Sequence, residues 1–147
     1  MANYYSTCRT NYFKVKNEKK FRDWAKSLCA ENLEVIGKEG IVGLLFDNGI
    51  PDMRRNPKAK GIRLTHAALT TDEQIECDFF KELKGHLKKG EVAIYMEAGA
   101  EKHRYVTGYA IAVSPEFPDV GVNLMEIYEL AAEKFGKFEK EITKAEY

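Results

Sequence analysis

The sequence predicts an α+β domain: a single, mostly antiparallel sheet of about five strands in the order β-α-β-β-α-β-β-α, with helices packed on one face. Three observations carry this expectation. The stretch YYSTCRTNYFKV, residues 4–15, has the ring-rich composition of a strand. Helical periodicity follows at Phe21, Trp24, Ala25, Leu28 and Cys29. The segment EVAIYMEAGAEKHRYVTGYAIAVS, residues 91–114, reads as two strands joined by a turn. Helices gathered on one face of an antiparallel sheet leave the other face at least partly open.

Each element follows from local chemistry. The first strand runs from Tyr4 to Val15. Tyr5, Phe13 and Val15 share one parity and Tyr4, Cys8 and Tyr12 the other. Either both faces are partly covered or a bulge near Arg9 shifts the register. Asn17 stops the strand and caps the helix, with Trp24 as its core anchor. Leu33–Ile36 and Ile41–Phe46 form a hairpin across the loop Gly37–Gly40, and Asp47-Asn48-Gly49 ends it in turn chemistry.

Residues 51–71, PDMRRNPKAKGIRLTHAALTT, contain two prolines, a glycine and no apolar period. They read as a long surface loop, with room for a short strand at Gly61–Leu64. Thr71 and Gln74 match a capping box, opening a helix with Ile75, Phe79, Phe80, Leu83 and Leu87 inward and Gly90 just past its end. A hairpin follows, with strands Val92–Glu97 and His103–Val113 and a turn at Gly99–Lys102. Its second strand puts Tyr105, Thr107, Tyr109, Ile111 and Val113 on one face. The small residues Gly108, Ala110 and Ala112 on the other face suggest a closely packed helix. Pro115 and Pro118 mark a loop. Asn123 with Glu126 opens a final helix, with Leu124, Ile127, Tyr128, Ala131 and Phe135 inward and Gly136 at its end. The expected organisation is one domain over residues 1–136 and a charged tail at 137–147.

At 147 residues a single domain buries roughly 70% of its unfolded surface, enough for a core without staples. Lys plus Arg and Asp plus Glu both number 23, so no net field draws in nucleic acid or an anionic membrane, and any electrostatic partner meets a local patch. Cys8, Cys29 and Cys77 are an odd, scattered set without CxxC, which points to reduced thiols and a cytoplasmic setting. The start MANYYSTCRT lacks signal-peptide character, and no apolar run is long enough to span a bilayer.

Three constellations could carry chemistry. Arg54, Arg55, Lys58, Lys60 and Arg63 form a cationic patch in a stretch without acids, suited to phosphate contact or simply to a solvated loop. Glu97, Glu101, Lys102, His103, Arg104 and Tyr105 crowd one turn, where acid–base work on a phosphate ester is conceivable. Strand alternation separates Arg104 from His103 and Tyr105, which favours a charged turn instead. Tyr4, Tyr5 and Tyr12 with Arg9, Asn11 and Lys14 form a polar-aromatic surface, the composition of protein interfaces and of base-stacking platforms. His66, His86 and His103 lack metal-ligand spacing, GxSxG is absent, and GKEGIVG lies between strands rather than before a helix. No catalytic residue, metal or cofactor is expected.

NYYSTCRTNYFKVKNEKKF, GEVAIYMEAGAEKHRYVTGYAIAV and LMEIYELA together resemble a family of small proteins encoded by phages and other mobile elements of gut-type bacteria. The matching residues are Asn3, Tyr4, Arg9, Asn11, Tyr12 and Phe13, then Gly90, Glu91, Glu97, Gly99, Glu101, Lys102, Arg104, Tyr105, Gly108, Tyr109 and Ala110. The resemblance implies a mobile-element setting, where small accessory proteins often bind a host protein, commonly a defence nuclease. The expectation is therefore a non-enzymatic binding protein, of the anti-CRISPR or anti-restriction type. It would contact a host or phage protein, or a ribonucleoprotein nuclease, through Tyr4, Arg9, Asn11, Tyr12, Glu101, Lys102, Arg104, Tyr105 and the basic loop. The alternative is a nucleic-acid-binding accessory protein using that loop. A small enzyme built on Glu97, Glu101, His103 and Arg104 is a third possibility. Either a monomer or a homodimer is compatible with an exposed sheet edge.

Overall fold

The computed structural model describes residues 4–49, 54–55, 75–76, 78–103 and 105–145. Their order is β1 (Tyr5–Thr10), β2 (Phe13–Lys14), α1 (Glu18–Ser27), β3 (Glu31–Lys38), β4 (Ile41–Asp47), β5 (Arg54–Arg55), β6 (Ile75–Glu76), α2 (Phe79–His86), β7 (Ala93–Glu101), β8 (Tyr105–Ser114), β9 (Phe117–Asn123), α3 (Glu126–Phe135) and a 3-10 turn at Glu139–Glu141. The class is α+β. Among the described residues one antiparallel sheet has seven strands, and β5 and β6 pair separately. The expected five strands become seven for two reasons. The first strand is broken in two, and Phe117–Asn123 is a strand where the prolines suggested a loop. Pro118 is tolerated because β9 lies at the sheet edge, where β8 pairs it on one side only.

Register fixes which residues share a face. Leu45 of β4 pairs with Glu34 of β3 on one edge and with Arg9 of β1 on the other. Arg9 pairs with Met96 of β7, Met96 with Ala110 of β8, and Ala110 with Val122 of β9. Residues directly opposite in a ladder point the same way. Glu34, Leu45, Arg9, Met96, Ala110 and Val122 therefore form one row across the sheet.

The opposite face carries the core. Trp24 of α1 stacks on Phe79 of α2 with ring centroids 5.7 Å apart, and its Nε1 donates to Glu82 Oε1 at 3.3 Å. Trp24 is the expected core anchor. Beneath the two helices lie Phe13, Val42, Leu44, Phe46, Tyr95 and Val113, all buried. Each such side chain removed from water contributes roughly 1.5–3 kcal/mol. Asn17 caps α1 as anticipated, its Oδ1 accepting from Lys20 N at 3.0 Å. Cys29, placed in the core from its spacing, is only half-buried, because α1 ends at Ser27 and Leu28 is already extended.

The first strand does contain a register shift, centred on Asn11 and Tyr12 rather than Arg9. Ser6, Cys8 and Thr10 are buried on one side of it, and Phe13 and Val15 on the other. The inward parity thus changes from even to odd. Asn11 holds the gap: its Oδ1 accepts from Ile94 N at 2.8 Å, and its Nδ2 donates to Val92 O at 3.1 Å.

Further differences have local causes. Ile75 lies in β6 and not in a helix, and α2 starts at Phe79 with Asp78 Oδ1 accepting from Lys81 N at 3.2 Å. The capping box at Thr71 and Gln74, the strand at Gly61–Leu64 and most of the basic loop lie outside the described residues. β7 runs on through Gly99 to Glu101, and the turn falls at Lys102 and His103. Gly99 is a strand residue paired with Ser6 and Thr107, and it is glycine because Tyr4 and β1 approach it closely: a Cβ there would stand 2.5 Å from the Tyr4 hydroxyl. The small residues of β8 face no described helix; Leu124 rests on Gly108 instead. Asn123 ends β9 and Met125 takes the N-cap position of α3, while Gly136 closes that helix in the left-handed conformation at φ +65°, as expected. The inward set of α3 also differs. Ala132 is buried and Tyr128 and Ala131 are half-buried, but Leu124, Ile127 and Phe135 are exposed. The helix packs on the tail: Ala145 N donates to the Tyr128 hydroxyl at 2.7 Å, and Lys144 Nζ lies 5.0 Å from the ring centre. No helix among the described residues is long and apolar enough to cross a membrane.

Candidate binding surface

The face opposite α1 and α2 bears no described helix. Along its central row, Met96 is 53% and Val122 57% exposed, with Arg9 exposed between Leu45 and Met96. The neighbouring row runs Asp47, Thr7, Ala98 and Gly108. Leu124 borders a groove of about 490 Å³ floored by Thr7, Met96, Ala98, Gly108, Ala110 and Val122. Arg9 is the one cation among the described residues that line it. Its Nε donates to Thr10 O at 3.2 Å. The surface is shallow and apolar around Arg9, with Glu34 and Asp47 toward its β3–β4 side, a composition suited to contact.

The sequence-predicted contact residues do not all share this face. Tyr4 has the parity of the buried side, and its hydroxyl is 3.2 Å from Glu97 Oε2 and 2.8 Å from Thr107 Oγ1. Tyr5 takes the place beside Arg9's row and is 65% exposed. Asn11 is committed to β7 by the bonds described above, so its role is architectural. Tyr12 is exposed at the strand break. Glu101 pairs with Tyr105 at the end of the β7–β8 hairpin, and Lys102 occupies the turn at φ +51°. Arg54 and Arg55 lie in β5, opposite Glu76 and Ile75. Lys58, Lys60, Arg63 and Arg104 lie outside the described residues. Met96, Ala98, Val122 and Leu124 were not anticipated as surface. The signal was available in β7, where Met96 and Ala98 have the parity opposite to Tyr95.

Under the core side of β1 lies a buried polar cluster. Glu97, 6% exposed, accepts on Oε1 from the Tyr95 hydroxyl at 2.7 Å and from the Tyr109 hydroxyl at 3.2 Å. The Cys8 thiol points at the same oxygen from 3.6 Å, and Tyr4 reaches Oε2. Gly49 N donates to Cys8 Sγ at 3.2 Å. Among the described residues no cation pairs with this carboxylate, so its charge is held by phenol donors. Four elements meet here, β1, the turn after β4, β7 and β8. The cluster pins the centre of the sheet.

The electrostatics argue against catalysis by these groups. Burial pushes the Cys8 thiol up, and nearby Glu97 adds to the effect. A thiol raised in this way is poorly nucleophilic at neutral pH. Burial, together with Glu97, raises Tyr109 to about 12, and burial also raises Tyr95. Glu97 lies four strand residues from Glu101, roughly 13 Å along the chain, while His103 is exposed in the turn. Glu97, Glu101 and His103 therefore form no acid–base site. His86 is packed between Phe21 and Trp24, centroids 5.7 and 4.9 Å away, and burial lowers its pKa. Among the described residues no group of three or more His, Cys, Asp or Glu side chains could hold a metal ion.

Comparison with models of protein families, with curated proteins and with solved structures gives no match. The function is therefore argued from the geometry of this chain.

Proposed function

We propose that the chain is a non-catalytic binding protein that engages another protein through the open face of its sheet. The observation that supports this is the uncovered row Leu45, Arg9, Met96, Ala110 and Val122, in which Arg9 is the one charge between apolar neighbours and Glu34 stands at the β3 end. Methionine and arginine are enriched at protein interfaces because both combine a long apolar stem with an adaptable or charged tip. The complementary partner surface is apolar and carries a carboxylate that meets Arg9. The resemblance of the two sequence blocks to small phage proteins makes bacterial defence nucleases, CRISPR effectors and restriction enzymes among them, the first partners to test. Nucleic-acid binding through this open face has less support, and the basic loop that would carry the alternative lies mostly outside the described residues. The groove offers Arg9 as its only cation among the described residues, whereas phosphate contact uses several.

The test is affinity capture with two baits, the wild-type chain and an Arg9→Glu/Met96→Glu variant, against source-cell lysate and purified defence nucleases. One protein retained stoichiometrically by the wild type and lost from a variant of equal thermal stability is the expected result. Equal retention on both baits, or none on either, rejects the reading.

A further inference from the structure

α3 and the tail form an arm with little cover. Met125, Ile127, Leu130, Phe135 and Phe138 are each 49–73% exposed. At roughly 100 Å² of apolar surface apiece they total on the order of 500 Å² over the helix and the tail. On the helix surface Ile127, Leu130, Ala131 and Lys134 are i, i+3 and i+4 neighbours and make one stripe. The side turned away from it holds Ala132 and Tyr128 against the tail.

The charges of the arm identify what covers it. Its first half carries Glu126, Glu129 and Glu133, and its second half Lys134, Lys137, Lys140 and Lys144. Of the three acids of the second half, Glu139 pairs with Lys144 at 3.4 Å, Glu141 accepts from Phe138 N at 2.9 Å, and Glu146 lies outside the described residues. Glu126 in the first turn and Lys134 in the last turn of one short helix are complementary to their own reverse. We propose that α3 is a homodimer interface, in which the helices of two copies cross antiparallel about a two-fold axis at Leu130. That register sets Glu126 opposite the partner's Lys134 and brings Met125 level with the partner's Phe135. A two-fold axis makes every such contact twice. The open sheet face remains free for a different partner, so the dimer adds to the function proposed above and does not compete with it.

Sedimentation equilibrium of the full chain at roughly 50 µM tests the proposal. The expected mass is twice 16.8 kDa. Ile127→Asp/Leu130→Asp should sediment as a monomer that keeps the far-UV circular dichroism of the wild type and melts independently of concentration, because neither side chain belongs to the buried core. Glu126→Lys and Lys134→Glu should each weaken the dimer about tenfold, and the two combined should restore it. Leu130→Cys should form an intermolecular disulfide under mild oxidation that the wild type does not form. A monomeric wild type overturns the proposal. So does a dimer that survives the double aspartate variant, or a charge swap that fails to restore association. Capture through the open face is read separately on the Arg9 and Met96 variant, so failure of one reading is distinguishable from failure of the other.

Discussion

Gly49 and Glu97 set each other's space: a Cβ built on Gly49 would stand 2.6 Å from Glu97 Oε1. Gly49 also has φ +76°, where a side chain is strained in any surroundings. Gly49→Ala should therefore destabilise the fold by about 3 kcal/mol, part backbone strain and part displacement of a buried carboxylate. The check is a urea titration, in which the midpoint should fall while the slope stays constant.

The phenols around Glu97 are unequal. Tyr95 is buried and makes the shortest bond to the carboxylate, whereas Tyr4 is 40% exposed and water can replace it. Tyr95→Phe should cost about 2 kcal/mol, the worth of a hydrogen bond to a charged group. Tyr4→Phe should cost about 1 kcal/mol or less. Equal losses in chemical denaturation would contradict the hydrogen-bond geometry.

Stability should depend on pH at both extremes. Tyr109, raised by burial and Glu97 to about 12, keeps its proton in the fold at pH values where the unfolded chain releases it. Cys8 and Tyr95 are raised in the same direction. Their contribution is intact below about pH 9 and is lost as pH rises through 9 to 12. Melting temperatures measured from pH 8 upward should show that fall, and Tyr109→Phe should make it shallower. On the acid side, His86 is lowered by burial, so the unfolded chain takes up its proton first. Stability should decline as pH drops below about 6.5.

Two neighbouring positions should separate architecture from contact. Asn11→Ala removes the partners of Ile94 N and Val92 O and should cost about 1–3 kcal/mol. Met96→Glu lies on the open face and should change stability by no more than about 0.5 kcal/mol. A large loss at Met96 in thermal denaturation would mean that this face is covered in the folded chain.

Legibility in the sequence followed the strength of local signals. α1 was readable because an asparagine cap and a clean i, i+3, i+4 pattern agree. The β3–β4 hairpin and the Gly136 stop were readable because glycine and asparagine supply left-handed backbone that few residues accept. β9 was not, since its two flanking and internal punctuators, Pro115 and Pro118, are compatible with a loop and with an edge strand alike. Gly99 misled in the opposite way: a glycine demanded by a distant tyrosine reads like a turn. Glu97 was assigned to a charged surface because a lone acid between apolar neighbours carries no mark of the phenols that gather around it. The open face was half legible. The parity of β8 separated its small residues from its large ones, but which side the helices choose depends on α1 and α2, far away in the chain.

The position of β1 between β4 and β7 has a consequence for biosynthesis. Tyr5–Thr10 leaves the ribosome well before its second neighbour, Ala93–Glu101, which arrives more than eighty residues later. Until then the middle of the sheet has an unsealed seam, lined by Cys8, Thr10 and the half-assembled polar cluster. Such long-range closure is slow, on the order of milliseconds to seconds. The nascent sheet therefore closes around β1 only after β7 has been translated, and chaperones have that interval in which to hold it.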